Sequence, residues 1–176
     1  MDILVPEEYK PLWVQNDDRP VVKYPAEVLR KPAKQVDRVT KATRILIDRM
    51  KAVMKRANGI GIAAPQLGVS ERVIIIADGK RPLALVNPVI TKSQGAVIAE
   101  EGCLSLPGLY GDVQRNASVD VEAIDEDGRT VKLRLEGLAA RCVQHEIDHL
   151  DGILFIDRVD MATLHWDWPA SAEAVK

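Results

Sequence analysis

Apolar residues recur at three- and four-residue steps between positions 40 and 58. They are Ala42, Ile45, Leu46, Met50, Val53, Met54 and Ala57, with Arg49 on the same stripe and charges on the opposite face. That period predicts an amphipathic helix. Asn58-Gly59 predicts its stop, because a glycine just past the last turn takes the left-handed conformation cheaply. The pattern then shortens to a branched run, Val73-Ile74-Ile75-Ile76, which predicts a strand over 72–77 closed by Asp78-Gly79. Further short strands are expected over 83–87 and 96–99. Strict alternation returns at Val119, Val121 and Ala123 and again at Val131, Leu133 and Leu135, with Asp127-Gly128 between them. This is a hairpin over 118–135. A second helix is expected over about 137–150, ending before Asp151-Gly152. The order of helix, several strands, hairpin and helix predicts an α+β fold with short, largely antiparallel sheets.

The chain has 176 residues, about one domain's worth, and a single domain over 1–176 is expected. Positions 1–20 carry Pro6, Pro11 and Pro20 among mixed apolar and acidic residues and read as an irregular extension; 161–176 read as a tail. Lys and Arg number 24 against 26 Asp and Glu, for a net charge of −2. That balance excludes a binder of nucleic acid or anionic membranes by bulk charge. No run reaches the roughly 18 to 20 apolar residues of a membrane span, and Asp2, Glu7 and Glu8 stand where a secretory signal would be basic. A cytoplasmic protein is expected, with its two cysteines, Cys103 and Cys142, as thiols.

Chemistry concentrates on the second helix, in His145-Glu146-Ile147-Asp148-His149. Histidines at i and i+4 share a helical face, so both imidazoles reach one metal ion, with the intervening glutamate beside it. The alternative is a pair of surface histidines on an amphipathic helix. Leu138, Cys142, His145 and His149 continue one stripe, which argues for a buried face whose imidazoles need a partner. Cys142 is therefore read as a packed thiol in the site wall. A catalytic metal usually has three protein ligands and one open position. Cys103 is the candidate third ligand, in Glu101-Gly102-Cys103-Leu104-Ser105, where Gly102 and Pro107-Gly108 predict a sharp backbone turn. The segment Gly59-Ile60-Gly61-Ile62-Ala63-Ala64-Pro65-Gln66 lacks the spacing of a phosphate-binding loop. Its glycines suit close approach of a ligand backbone, and Gln66 would bring a neutral donor to an oxyanion.

Together these three segments resemble the peptide deformylase family. Residues 59–66 match its G-x-G-x-A-A-x-Q motif, with Ile62 where Leu is usual; 101–105 match E-G-C-L-S, and 145–149 match H-E-x-D-H. The resemblance covers about 22–159. It implies that Cys103, His145 and His149 hold one divalent ion, Fe(II) physiologically, with Zn(II), Ni(II) or Co(II) accepted. It further implies Glu146 as general base and acid, with Gln66 and the backbone N–H of Leu104 as oxyanion donors. The backbones of Ile60, Gly61 and Gly102 would pair with an extended substrate, and Ile60, Leu138 and Cys142 would receive the methionine side chain. Arg141 either flanks the pocket or is solvated. The implied reaction removes formate from N-formyl-methionine of new polypeptides, by a monomer working near the ribosome exit, with neither nucleic acid nor membrane as direct partner.

Two competing functions remain. A zinc endopeptidase would need another downstream ligand, and His165 is the only remaining histidine. A binding module with a structural metal would need four protein ligands, and three are apparent.

Overall fold

The computed structural model describes residues 2–77, 79 and 81–168. The expected turn residue Asp78 and positions 169–176 of the expected tail lie outside them.

Helix α1 spans Lys41–Arg56. Thr40 starts it, its side chain accepting from the Thr43 N–H while the Thr43 hydroxyl accepts from Thr40 N–H, so two otherwise orphaned donors are satisfied. At the other end Asn58, not Gly59, takes the left-handed conformation (φ 51°). Asn58 N–H bonds Lys55 O and Gly59 N–H bonds Met54 O, which closes the last turn. The buried face also differs from the expected stripe. Thr43, Ile47, Met50, Val53 and Met54 are buried, whereas Ile45 is 59% exposed and Ala42 and Arg49 face solvent. An isoleucine reads as core, which draws the stripe through Ile45, but Ile47 and the capping Thr43 lie on the side that meets the sheet.

That sheet has five antiparallel strands in the order β1-β2-β3-β6-β7. These are Gly61–Ala63, Val73–Ala77, Pro82–Gln94, Ser118–Ile124 and Thr130–Glu136. Between β3 and β6, strands β4 (Val97–Cys103) and β5 (Leu106–Arg115) leave it to form a second sheet with β8 (His165–Trp166), in the order β4-β5-β8. Helix α2, Gly137–Leu150, follows β7 directly. The continuous apolar run of β2 is explained by its place in the middle. Val73 and Ile75 pack with Ile47, Met50 and Met54 of α1, while Ile74 and Ile76 pack with Val143, Ile147 and Leu150 of α2. A strand covered on both faces has no polar side to alternate with.

The expected hairpin is present as β6 and β7, with the Asp125 carboxylate accepting from Asp127 and Arg129 N–H at the turn. The strand expected over 83–87 runs on to Gln94, because Asn87 (φ 51°) marks a register irregularity and not an end. β5 had no counterpart among the expected strands. Pro107, Gly108 and Gly111 interrupt its alternation, and both glycines are needed for contact: a Cβ on Gly108 would meet the Tyr9 ring at 2.6 Å and one on Gly111 would meet Val159 at 2.5 Å. The N-terminal stretch is likewise more ordered than its composition suggests. Glu7–Trp13 form a 3-10 helix that buries Tyr9 and Leu12. Tyr9 packs against Trp166, ring centroids 5.0 Å apart, and Trp168, 5.3 Å.

The reassigned face of α1 has a direct consequence. Ile47→Ala should cost about 2–5 kcal/mol, as for a buried aliphatic truncation, whereas Ile45→Ala should stay within about 0.5 kcal/mol. Denaturant unfolding of the two variants side by side checks this, and equal losses would contradict it.

Candidate active site

β4 ends at Cys103, and the turn Leu104-Ser105 returns the chain into β5. Opposite it, α2 presents His145 and His149 one turn apart. Cys103 Sγ lies 3.3 Å from His149 Nε2, and the ligand atoms of Cys103, His145 and His149 all lie within 4.8 Å of one another. His145 Nδ1 is 3.0 Å from Glu101 Oε2, which directs the other ring nitrogen to the cluster. Burial by itself would push the Cys103 thiol up, but His149 and His145 outweigh it and hold it well below its usual range. A poised thiolate with two imidazoles is a donor set for a divalent transition metal.

The two cysteines have opposite environments. Cys142 is buried among Ile74, Ile76 and Val143, and its thiol donates to Ile60 O at 3.2 Å. Burial and nearby Glu146 push it well above its usual value. It belongs to the packed wall and stands outside the ligand group.

Glu146 lies on the flank of the same helix, buried, and its Oε2 has no hydrogen-bond partner among the described residues; His149 Nδ1 is likewise unpartnered. Burial raises the Glu146 pKa to about 7, with the histidines pulling the other way. A carboxyl with that affinity exchanges protons near neutrality. Gln66, in the 3-10 helix Ala64–Leu67, accepts Ala63 N–H through Oε1 at 2.9 Å. Its NH2 must therefore point the other way, toward Ser105 Oγ at 3.2 Å and Cys103 Sγ at 3.6 Å. Leu104 O accepts from Lys23 Nζ at 2.8 Å, and burial lowers that ammonium to about 8.

A cavity of about 640 Å³ opens over this cluster, lined by Gly61, Gln66, Gly102, Cys103, His145 and Glu146. β1 and β4 are each the edge strand of their sheet, and both contribute a glycine to the lining. A Cβ on Gly61 would sit 2.3 Å from Glu146 Oε1 and 2.6 Å from Cys142 Sγ, and one on Gly102 would sit 2.4 Å from the Tyr110 ring. Ile60 and Leu138 stand at the rim, 47% and 62% exposed. Leu138 thus departs from the fully buried stripe expected of it, because the first turn of α2 reaches the cavity and not the core. The Ile60 carbonyl is taken by Ala77 N–H at 2.8 Å and the Cys142 thiol, so any pairing with a ligand falls to its N–H.

A buried ion network without a local sequence signature surrounds Glu101. Arg115 donates to both oxygens of Glu101, at 2.9 and 3.0 Å, and also to Asp148. Arg158 holds Asp148 through two bonds, at 2.6 and 2.7 Å. His145 and Arg115 outweigh burial and hold Glu101 down at about 2. Arg141 lines the cavity, as its pocket-flank reading expects, and is not a solvated side chain. It donates to Glu101 at 2.6 Å and to the carbonyls of Val97, Ala99 and Val113. The available signal was Glu101 and Asp148 beside the metal-ligand candidates; nothing local marks Arg115. His165 lies in β8 beside Tyr110, with Nε2 3.4 Å from Glu100, and stands outside the ligand group.

Comparison with known proteins agrees with this geometry. The family model for polypeptide deformylase matches residues 18–164. The peptide deformylase of Desulfitobacterium hafniense is 49% identical over 138 residues, covering 78% of this chain and 92% of that one. Among solved structures, a peptide deformylase from Synechococcus elongatus in complex with actinonin superposes with a TM-score of 0.78 at 43% identity, over 84% of this chain and 83% of that one. The peptide deformylase from Thermus thermophilus gives 0.76 at 46%, over 81% and 86%. With most of its length matched at this identity, the chain belongs to the polypeptide deformylase family, metal-dependent hydrolases that remove the formyl group from the N-terminal methionine of nascent polypeptides.

Proposed function

We propose that Cys103, His145 and His149 hold one divalent ion, Fe(II) in the cell with Zn(II), Ni(II) or Co(II) able to replace it, and that Glu146, Gln66 and Leu104 carry the deformylation chemistry. The observation that carries this reading is the convergence of three donor atoms within 4.8 Å beside a buried carboxyl that has an unpartnered oxygen. When bound, the ion supplies Lewis acidity that makes hydroxide available from water near neutral pH. Glu146 takes the proton of the attacking water and returns it to the leaving amine, for which a pKa near neutrality is suited. The NH2 of Gln66, aimed by Ala63, and the Leu104 N–H donate to the oxyanion of the tetrahedral intermediate.

Substrate enters as an added strand. The edges of β1 and β4 offer the backbones of Ile60, Gly61 and Gly102 to an extended peptide, and main-chain pairing of this kind is indifferent to side chains. The methionine side chain lies against Ile60, Leu138 and Cys142. A formyl hydrogen fits between the glycine edges where a larger acyl group would crowd them. The whole chain, 1–176, acts as a single catalytic domain and a monomer in the cytoplasm, on polypeptides leaving the ribosome. Among the described residues no helix is long and apolar enough to cross a membrane.

Ligation and chemistry separate by mutation. Cys103→Ala should lose most bound metal, leaving a weak two-histidine site, while Cys142→Ala should keep it; metal analysis of anaerobically purified protein with the opposite result reverses the two thiols. Glu146→Ala should keep the metal and lose at least ~100-fold in formate release from formyl-Met peptides. Gln66→Ala should also keep the metal and lose ~100-fold or more. Unchanged turnover removes that residue from the mechanism.

A pH effect follows from Glu146 in the metal-free protein. Its pKa is about 7 when folded against 4.5 for an ordinary glutamate, so between these values the folded state holds a proton that the unfolded chain has lost. Its contribution to stability therefore falls as pH rises from 4.5 to 7. Denaturation of the wild type minus Glu146→Gln should show this decline, and a flat difference would contradict the burial argument.

A further inference from the structure

Residues 2–17 precede the part of the chain that the family model matches, yet this stretch helps to build one side of the substrate cavity. Leu12 lines it, as do Asp18, Arg19 and Pro20 immediately afterwards. The segment is firmly seated. Tyr9 covers Gly108, packs at a tilt against Trp166 and stacks on Trp168, and Trp13 Nε1 donates to Pro107 O at 2.9 Å. Pro107 and Gly108 belong to β5, just beyond the turn that carries Leu104, and Trp166 belongs to the neighbouring β8.

Past the 3-10 helix the chain folds back on itself. Asn16 and Arg19 exchange backbone hydrogen bonds at 3.2 and 3.1 Å, and Asn16 Oδ1 accepts Arg19 N–H at 2.9 Å. Arg19 is half-buried, and one of its guanidinium nitrogens donates to Pro11 O at 2.6 Å. A guanidinium has five donors, so this bond fixes the side chain and leaves its charge and most of its donors for another group. No ion pair neutralises it among the described residues. Lys23, on the same wall, reaches Leu104 O beside Cys103, so the wall runs from the metal-ligand turn outward to Arg19. Asp18 is the wall's own acid, exposed and not paired with Arg19.

We propose that this N-terminal segment is a substrate-selecting wall, in which Arg19 favours formyl-methionyl polypeptides with an acidic side chain at one of the two residues after the methionine. The inference rests on the deformylase reading above and adds its preference beyond the first residue. With the formyl group at Cys103, Gln66 and Glu146, an extended substrate advances roughly 3.3 Å per residue, and it passes the cavity wall while its backbone is held by the glycine edges. Main-chain pairing supplies affinity without selectivity. A fixed cation on that path adds discrimination by charge, strongest at low salt.

The test is formate release by the metal-loaded full chain from C-terminally amidated formyl-Met-Asp-Ala and formyl-Met-Ala-Asp, against their Asn and Lys counterparts. Each rate is divided by that for formyl-methionine amide in the same preparation, which cancels any inactive fraction. Wild type should favour at least one Asp peptide over its Asn counterpart by about threefold in kcat/KM, carried by KM, the size of a partly exposed charge pair. Arg19→Ala should abolish the preference, Arg19→Glu should turn it toward Lys, and Arg19→Lys should retain part of it. Equal Asp and Asn rates in wild type, or a preference that survives Arg19→Ala, overturn the proposal and leave deformylation intact. No formate from formyl-methionine amide in wild type overturns the deformylase reading, and this proposal with it.

Discussion

Glu101 joins the two halves of the site. The thiol of Cys103 comes from an edge strand of the smaller sheet and the imidazoles of His145 and His149 from a helix packed on the larger one. Nothing in either element alone brings them together. The Glu101 carboxylate, buried at the end of β4, takes both arms of Arg115, one of Arg141, and His145. Arg115 and Arg158 then grip Asp148 on α2, next to His149. Buried charges are costly unless each is fully paired, so this arrangement tolerates little displacement of β4 along α2. The spacing of the donor atoms is a consequence of that constraint.

The same network sets the electrostatics. With Glu101 committed to its arginines and His145, that imidazole is oriented through Nδ1 and its outer nitrogen is available. Glu146, one residue along the helix, points to a different flank and receives no arginine. Burial then raises it to about 7 while Glu101 is held near 2. Two carboxyls in one site are thereby driven apart in their affinity for a proton.

The cavity depends on a second constraint, close backbone approach. β1 and β4 meet the site as edges, and each carries a glycine where a methyl group would collide, at Gly61 with Glu146 and Cys142 and at Gly102 with Tyr110. Both glycines therefore let the two edges pack closely against the side chains that line the cavity. Leu12, Asp18, Arg19 and Pro20 line another part of it, on a stretch that Tyr9 anchors against Trp166 and Trp168.

Helix α2, the β6–β7 hairpin and the β2 core strand were all legible, because each is governed by a local period: 3.6 for the helix, 2 for the hairpin, and an unbroken apolar run where both faces are covered. The metal-ligand candidates were legible as well, since histidines at i and i+4 share a face whatever surrounds them, and the three motif segments extended that reading to Cys103, Gln66 and Glu146. What the order of residues left open depended on partners distant in the chain. β5 and β8 hide behind glycines and a two-residue pairing that make sense only once Tyr9 and Val159 pack against them. Ile47 rather than Ile45 faces the sheet because the helix is rotated by its neighbours, not by its own composition. Arg115, Arg141 and Arg158 carry no local pattern, for a buried arginine is marked only by the carboxylates that meet it. Local periodicity is a property of neighbours along the chain and can be read there; the pairing of buried charges and the meeting of two sheet edges arise only when remote segments are packed together.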